Sequence, residues 1–337
     1  MEKTIPTIAD VAKRAGVSTA TVSRCLSFPD RVSARTKERV LFAISELGYT
    51  PNFGAKALAS KRTNTVGAVI PTMENAIFAR GIQAFQEEIQ TSGATLLIAS
   101  SNYDPKVEEE QIRTLISRGA DALLLIGKTR SHGIEEFVEA RGIASVCAWV
   151  IDPSNRLKTV GFDNKLAMKE LVTEILRLGH KSIAFIAAIL DGNDRAQDRL
   201  DGAYEALREA GLGPENMPVV EVQYSIERGA AAFDDLYSRL PRPTVIICGN
   251  DVLAVGALKR ARELGIRVPE DISITGFDDI DLATIVSPAL TTVHVPHREM
   301  GRQAAKRLME MLAGNNAGKN ASLDTHLVLR ESLSPPS

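Results

Sequence analysis

The sequence predicts an α/β protein with a small all-helical head, and three observations lead there. Apolar residues recur at helical spacing through the first 47 positions, and from Val66 onward short strands alternate with helical crossovers. Charge also divides unevenly. Residues 1–62 carry eleven Lys and Arg against five acids, and the remainder carries 29 against 37. A basic head on an acidic body is the asymmetry expected when one end faces phosphates.

In the head, Ile8, Val11, Ala12 and Ala15 form one apolar helical stripe. Gly16 supplies a tight turn, and Ser18 or Thr19 caps a second helix. Val22, Cys25 and Leu26 face inward on that second helix, leaving Thr19, Ala20, Ser23, Arg24 and Ser27 outward. Small residues around one Arg fit a DNA major groove, where a guanidinium can donate two bonds to guanine. A third helix is predicted from Ser33 to Leu47 with Val40, Ile44 and Leu47 inside and Gly48 ending it. Ser33 and Thr36 put hydroxyls at its start, where phosphate contacts are common. After Pro51, Asn52 to Ser60 reads as a short helix that is marginal in water unless something holds it.

The strands read as 66–70, 95–99, 122–126, 145–150, 183–186, 219–222, 244–247 and 273–277. Helices are predicted between most of them, such as Ala76 to Gln90 and Ala196 to Glu209. Apolar, β-branched strands with helical crossovers imply parallel sheets covered on both faces. Their number exceeds one ordinary sheet, so two α/β lobes with a cleft are expected, with ligands beyond the carboxyl ends of the strands.

Several function classes are excluded. No apolar run is long enough for a membrane span, and the N-terminus lacks the marks of a secretion signal, so the expected location is the cytoplasm. Cys25, Cys147 and Cys248 stand singly, and the five histidines form no metal-binding spacing, so no metal is assigned. No G-x-G-x-x-G follows a strand and no G-x-S-x-G is present. Gly127-Lys128-Thr129 mimics the tail of a phosphate-binding loop, but Ala122 stands where its opening glycine is required. No catalytic residue and no cofactor is therefore assigned.

Six ordered motifs then carry a resemblance: T-I-A-D-V-A-K-R-A-G-V-S-T-A-T-V-S-R at Thr7, E-L-G-Y-T-P-N at Glu46, L-A-S-K-R-T-N-T-V-G at Leu58, G-N-D-V-L-A-V-G-A at Gly249, I-T-G-F-D-D at Ile274 and P-A-L-T-T-V at Pro288. The chain resembles the lactose-repressor/galactose-repressor family of bacterial transcription regulators over essentially its whole length. The resemblance implies a helix-turn-helix DNA-binding headpiece (1–48), a hinge helix and linker (49–62), and a periplasmic-binding-protein-like core (63–333) that binds an effector and dimerises. The implied N-lobe is about 63–161 and 292–320, and the C-lobe about 162–291 and 321–333. The chain would cross between lobes near Gly161-Phe162-Asp163, near Leu290-Thr291-Thr292 and near Ala321-Ser322.

By motif position, Thr19, Ala20 and Arg24 would contact base edges, and Ser18, Thr21, Ser23, Ser33 and Thr36 would bind phosphates. Asn52, Ala55 and Leu58 would belong to the hinge contacts, with Leu58 wedged into the minor groove. Cys25 and Ser27 depart from the usual Val and Asn. In the core, Arg199 in R-L-D-G, Asn250 and Asp278 would hold a sugar or sugar acid. Phe78 and Trp149 are expected to line the cleft, and Arg195, four residues before Arg199, would favour an acid. The implied protein is a repressor that binds a palindromic operator as a homodimer, with tetramers possible. The alternative is a sugar-binding transport protein with the same core, which would have no use for a basic helical head.

Overall fold

The computed structural model describes residues 5–50, 62–74, 76–315 and 320–337. Asn52, Ala55 and Leu58 lie outside the described residues. The chain forms two compact units, residues 1–63 and 64–337.

The first unit contains three helices, α1 (Ile8–Ala15), α2 (Thr19–Ser27) and α3 (Ala34–Leu47), with a short 3-10 turn at Pro29–Arg31 that the sequence reading does not anticipate. A reciprocal cap starts α1: Asp10 N–H donates to Thr7 Oγ1 (3.4 Å) and Thr7 N–H to Asp10 Oδ2 (2.8 Å). Gly16 ends it in the left-handed region, at φ 62°. There the Arg39 guanidinium of α3 donates to Ala15 O (2.5 Å), tying the α1–α2 turn to the third helix. Val11, Ala12, Ala15, Val22, Cys25, Val40 and Ala43 form the small core. Cys25 is a buried apolar residue there.

The second unit opens with β1 (Thr65–Ile70), α4 (Ala76–Thr91), β2 (Thr95–Ser100), α5 (Pro105–Ser117), β3 (Ala122–Ile126), α6 (His132–Ala140), β4 (Ala144–Ala148) and β5 (Thr159–Gly161). A second lobe follows: α7 (Asn164–Arg177), β6 (Ile183–Ala188), α8 (Asp194–Glu209), β7 (Val219–Val222), α9 (Ile226–Ser238), β8 (Val245–Cys248), α10 (Asp251–Glu263), β9 (Ser273–Thr275) and α11 (Leu282–Ile285). The chain returns through β10 (Thr292–His294), α12 (His297–Leu312), β11 (Ala321–Ser322) and β12 (His326–Val328). The first sheet runs β11-β5-β4-β3-β1-β2 and the second β7-β6-β8-β9, both parallel, while β10 and β12 pair antiparallel. Strands β1 and β3 are buried along their whole length, which is why they read as unbroken apolar runs and not as alternation. All eight strands expected from the sequence are present, with shifted ends such as β4 stopping at Ala148.

The first connection between lobes leaves β5 at Gly161 and enters α7 at Asn164. The second returns through Thr291, which bridges to Thr275 of β9, into α12. Helices α4 and α12 pack through Gly81 and Gly301, where a Cβ on Gly301 would lie 1.9 Å from Gly81 O. The third differs from expectation. Ala321–Ser322 is not a crossing and does not open the C-lobe; it extends the first sheet beside β5. The chain crosses after it, by way of β12 against β10, to Ser332, whose hydroxyl donates to Ile274 O (2.6 Å). Two-residue pairing at a sheet edge carries no periodicity for a sequence to display.

Candidate functional site

Helix α2 presents the first site. Ser18 caps it by accepting from Thr21 N–H (3.1 Å), and the two hydroxyls also pair (2.9 Å). Ser33 and Thr36 repeat the device at α3, with hydroxyls 2.9 Å apart. Thr19, Ala20, Ser23 and Arg24 are exposed and Thr21 is half-buried, opposite the buried Val22 and Cys25. No acid pairs with Arg24 among the described residues. The face therefore offers one guanidinium without an acid partner among the described residues and small side chains, and the headpiece adds two capped helix N-termini, whose partial positive charge suits phosphate.

The second site lies between the lobes, at the carboxyl ends of both sheets, and Arg199 is its hub. Helical spacing puts Arg195, Ala196, Arg199, Leu200 and Ala203 on the buried side of α8. From there Arg199 donates to Asn164 Oδ1 (3.0 Å), Gly249 O (2.7 Å) and Asp278 Oδ1 (3.3 Å). Its guanidinium carbon stands 3.9 Å from the centre of the Phe277 ring. Asn250 accepts from Leu253 N–H (2.9 Å) and so caps α10. Asp278 sits at φ 106° with Oδ2 buried and unpartnered. Burial pushes its carboxyl up to about 6, against the pull of Arg199. Next to it Asp251 accepts from Thr292 Oγ1 (2.6 Å) and Ile280 N–H (2.8 Å), and burial plus the Asp278 charge push it to about 8.

Phe78 and Trp149, both about 1% exposed, meet edge to face at 5.5 Å. The Trp149 indole donates to His297 Nδ1 (3.1 Å), so the neutral His297 carries its proton on Nε2. That Nε2 is buried, unpartnered and 3.9 Å from Asp278 Oδ1. Burial holds the His297 pKa down at about 3. Asn164 closes the ring: it accepts from Arg199 and donates to Trp149 O (2.9 Å). Phe78, Trp149, His297, Asp278, Arg199 and Asn164 thus form one buried chain across both lobes. Trp149, expected from the sequence to line the cleft, packs on and donates to His297.

Arg195 is committed to Asp194 (2.7 Å), and the pair is nearly buried. At the mouth of the cleft Tyr103 from the first lobe meets Tyr224 from the second, ring centres 5.8 Å apart. Both line a cavity of about 850 Å³ together with Asn102, Ile189, Asn193 and Gln223. Burial pushes both phenols upward, and the charges of Arg199, Arg195 and Asp278 act on each. Asn164, His297, Tyr103 and Tyr224 escaped the sequence reading. None lies in a motif, and only fold topology brings them beside Arg199. Among the described residues no cluster of His, Cys, Asp and Glu could hold a metal, and no helix is long and apolar enough to cross a membrane.

A helix-turn-helix unit followed by two parallel-sheet lobes around a polar cleft defines a DNA-binding transcription regulator with a ligand-binding type of core. Residues 7–52 match the family described as bacterial regulatory proteins, lacI family, and residues 172–333 match the periplasmic binding protein-like domain. The chain is 34% identical over 334 residues to the HTH-type transcriptional regulator DegA of Bacillus subtilis, covering 98% of each. It is also similar to a crystal structure of a LacI family transcriptional regulator from Silicibacter pomeroyi (TM-score 0.89, 28% identity, 98% of this chain and 99% of that one). The lac repressor dimer bound to operator and the anti-inducer ONPF matches at TM-score 0.86 and 26% identity, over 98% of this chain and 99% of that one. The chain belongs to the lacI family of bacterial transcription regulators.

Proposed function

We propose that this regulator is a repressor that grips a palindromic operator as a homodimer and is released or tightened by a small hydroxylated effector in the interlobe cleft. Thr19, Ala20 and Arg24 read base edges, while Ser18, Thr21, Ser23, Ser33 and Thr36 fix register on phosphates. Asn52, Ala55 and Leu58 supply the hinge contacts, with Leu58 as the minor-groove wedge. In the core, Arg199, Asn250 and Asp278 form the polar wall of the effector site, with Arg195 beside it. Phe78 and Trp149 act from behind through His297, and Tyr103 and Tyr224 take the stacking role. The lac repressor structure cited above, a dimer with operator and a small ligand, supports this reading by similarity.

The observation that carries the proposal is the contrast between an exposed Arg24 with no acid partner among the described residues, on a capped helix, and a polar cluster buried between the lobes whose Asp278 Oδ2 and His297 Nε2 lack partners. Ligand in that cleft would alter the lobe angle and so the spacing of two hinge segments, a coupling of roughly 1–3 kcal/mol. Site selection from random duplexes tests it. Wild type should enrich a symmetric sequence and bind it in a salt-dependent way, and Arg24→Ala should lose the preference. Enrichment of no symmetric site, with or without candidate ligands, would end the proposal.

A further inference from the structure

The turn Gly127-Lys128-Thr129 has no part in the function argued so far, yet it makes a close contact across the lobes. It follows β3 at the carboxyl end of the first sheet, facing the start of α8 at the carboxyl end of β6. Gly127 takes φ 83°, and the N–H groups of Lys128 and Thr129 both donate to Asp194 Oδ2, the second at 3.0 Å. The other carboxylate oxygen accepts from Arg195 (2.7 Å). Arg130 rigidifies the turn from behind by donating to Gly127 O (2.9 Å) and Ile126 O (2.8 Å). A side chain at Gly127 would be strained at φ 83°, and its Cβ, 2.2 Å from Arg195 Nη1, would push that guanidinium off Asp194. Two converging backbone N–H groups beside a guanidinium form an anion seat, and a carboxylate of the chain itself already fills it.

We propose that Asp194 is a built-in anion that occupies the cleft's carboxylate seat, so that the effector is a neutral polyhydroxylated molecule and not a sugar acid or sugar phosphate. The inference rests on the cleft being the effector site and fixes the charge of what enters it. The cations of the interlobe contact are matched: Arg195 by Asp194, Lys128 by Asp198 (2.8 Å), Arg130 by Glu108 (2.9 Å) and Arg199 by Asp278 (3.3 Å), and the cavity lining sets one further cation, Lys106, among three acids, Glu74, Asp104 and Asp191. Among the buried side-chain atoms without a partner are an acceptor, Asp278 Oδ2, and a donor, His297 Nε2–H. A hydroxyl satisfies such a pair by donating to one and accepting from the other. A carboxylate would satisfy only the donor and would face the Asp278 charge. Burial alone would raise the Asp194 pKa, but Arg195 and the two N–H groups hold it below the usual carboxylate value, so the seat is filled by an anion at neutral pH.

The test uses the full-length protein, Asp194→Ala, and Asp194→Asn as the near-isosteric variant. Thermal stability and calorimetric binding are read with inorganic phosphate against chloride at equal ionic strength, and with a panel of aldoses each paired with its aldonic acid. Wild type should respond to a neutral aldose, and to none of the acids or phosphate. Asp194→Ala should bind phosphate at least tenfold more tightly than wild type, with Asp194→Asn in between. Wild type binding an aldonic acid or phosphate as tightly as the neutral partner would overturn the proposal, as would an Asp194→Ala protein no more receptive to phosphate than wild type. If no sugar of either charge bound wild type while the phosphate gain persisted, the seat would stand and the cleft's role as a sugar site would fall.

Discussion

The reading helix and the cleft handle the same chemical groups in opposite ways. On α2, Thr19, Ala20, Ser23 and Arg24 are exposed, and Arg24 has no acid partner among the described residues. In the cleft, Arg199, Asn250 and Asp278 are at most 3% exposed, and Arg199 makes all its contacts inside the protein. A DNA-reading surface holds its groups in water until a base edge replaces that water. The cleft holds its groups against each other, so a ligand of the kind proposed would have to exchange with bonds that already join the lobes. Substitutions of Thr19, Ala20, Ser23 or Arg24 on the exposed face of α2 should therefore change binding with little change in stability, and substitutions in the cleft should change both.

The largest expected effect follows Arg199→Ala. It leaves Asp278 buried without its counter-charge and removes the guanidinium from the Phe277 face, which should cost about 3–5 kcal/mol of core stability. Trp149 is the only tryptophan in the chain and belongs to the second unit, so its emission during urea unfolding reports the core alone. Arg199→Lys should rescue little, because one ammonium cannot serve three acceptors fixed by a planar fork. A loss below about 1 kcal/mol, the range of an exposed pair, would make the cleft as tolerant as the reading helix and dissolve the comparison.

Next is the pH response of the core. The His297 pKa lies at about 3 in the folded core against 6.5 for an ordinary histidine, the main cause being burial. As pH falls, the unfolded chain takes up this proton before the folded protein does. Stability carried by His297 is therefore complete above about pH 6.5 and drains away toward pH 3. His297→Gln keeps an acceptor for the Trp149 indole and does not titrate. The wild-type-minus-variant difference in stability should shrink by several kcal/mol over that window. A flat difference would show that His297 is not held neutral.

Arg24→Ala gives the mirror image. Operator affinity should fall by about 1–3 kcal/mol and discrimination at one base pair should relax, while stability stays within about 0.5 kcal/mol of wild type. Loss of stability on the scale of Arg199→Ala would show that Arg24 is part of the headpiece core.

The headpiece was legible in the sequence because its determinants are local. The α1 stripe, Gly16, the Ser18 cap and Gly48 all act within a few residues, and the structure puts each where periodicity places it. The sheets were legible for the same reason, since buried parallel strands are visible as apolar runs. Strands β5, β10, β11 and β12, of two or three residues each, were not. In the cleft, Arg199 and Asp278 stood out by motif, but their environment did not. Asn164 and Asp278 reach Arg199 from 35 and 79 positions away, and Trp149 meets His297 across 148. A guanidinium at Arg195 reads as a free cation until the fold sets Asp194 in the turn of another lobe.

The smallest expected effect, at Ser18, is also the most discriminating, because the hydroxyl combines a structural and a proposed functional role. It caps α2 through Thr21 N–H, and Ser18→Ala should cost about 1 kcal/mol of headpiece stability. Any loss of DNA binding in that variant mixes a frayed helix with a missing phosphate contact. Ser18→Asp separates them. Aspartate caps as well as serine and favours the helix dipole, so the thermal stability of the headpiece should hold. The added negative charge opposes a phosphate, so operator affinity should fall, and by more at low salt than at high salt, where the charge is screened. If Ser18→Asp bound operator like wild type at low salt, Ser18 would be a cap alone. The phosphate register of the reading helix would then rest on Thr21, Ser23, Ser33 and Thr36.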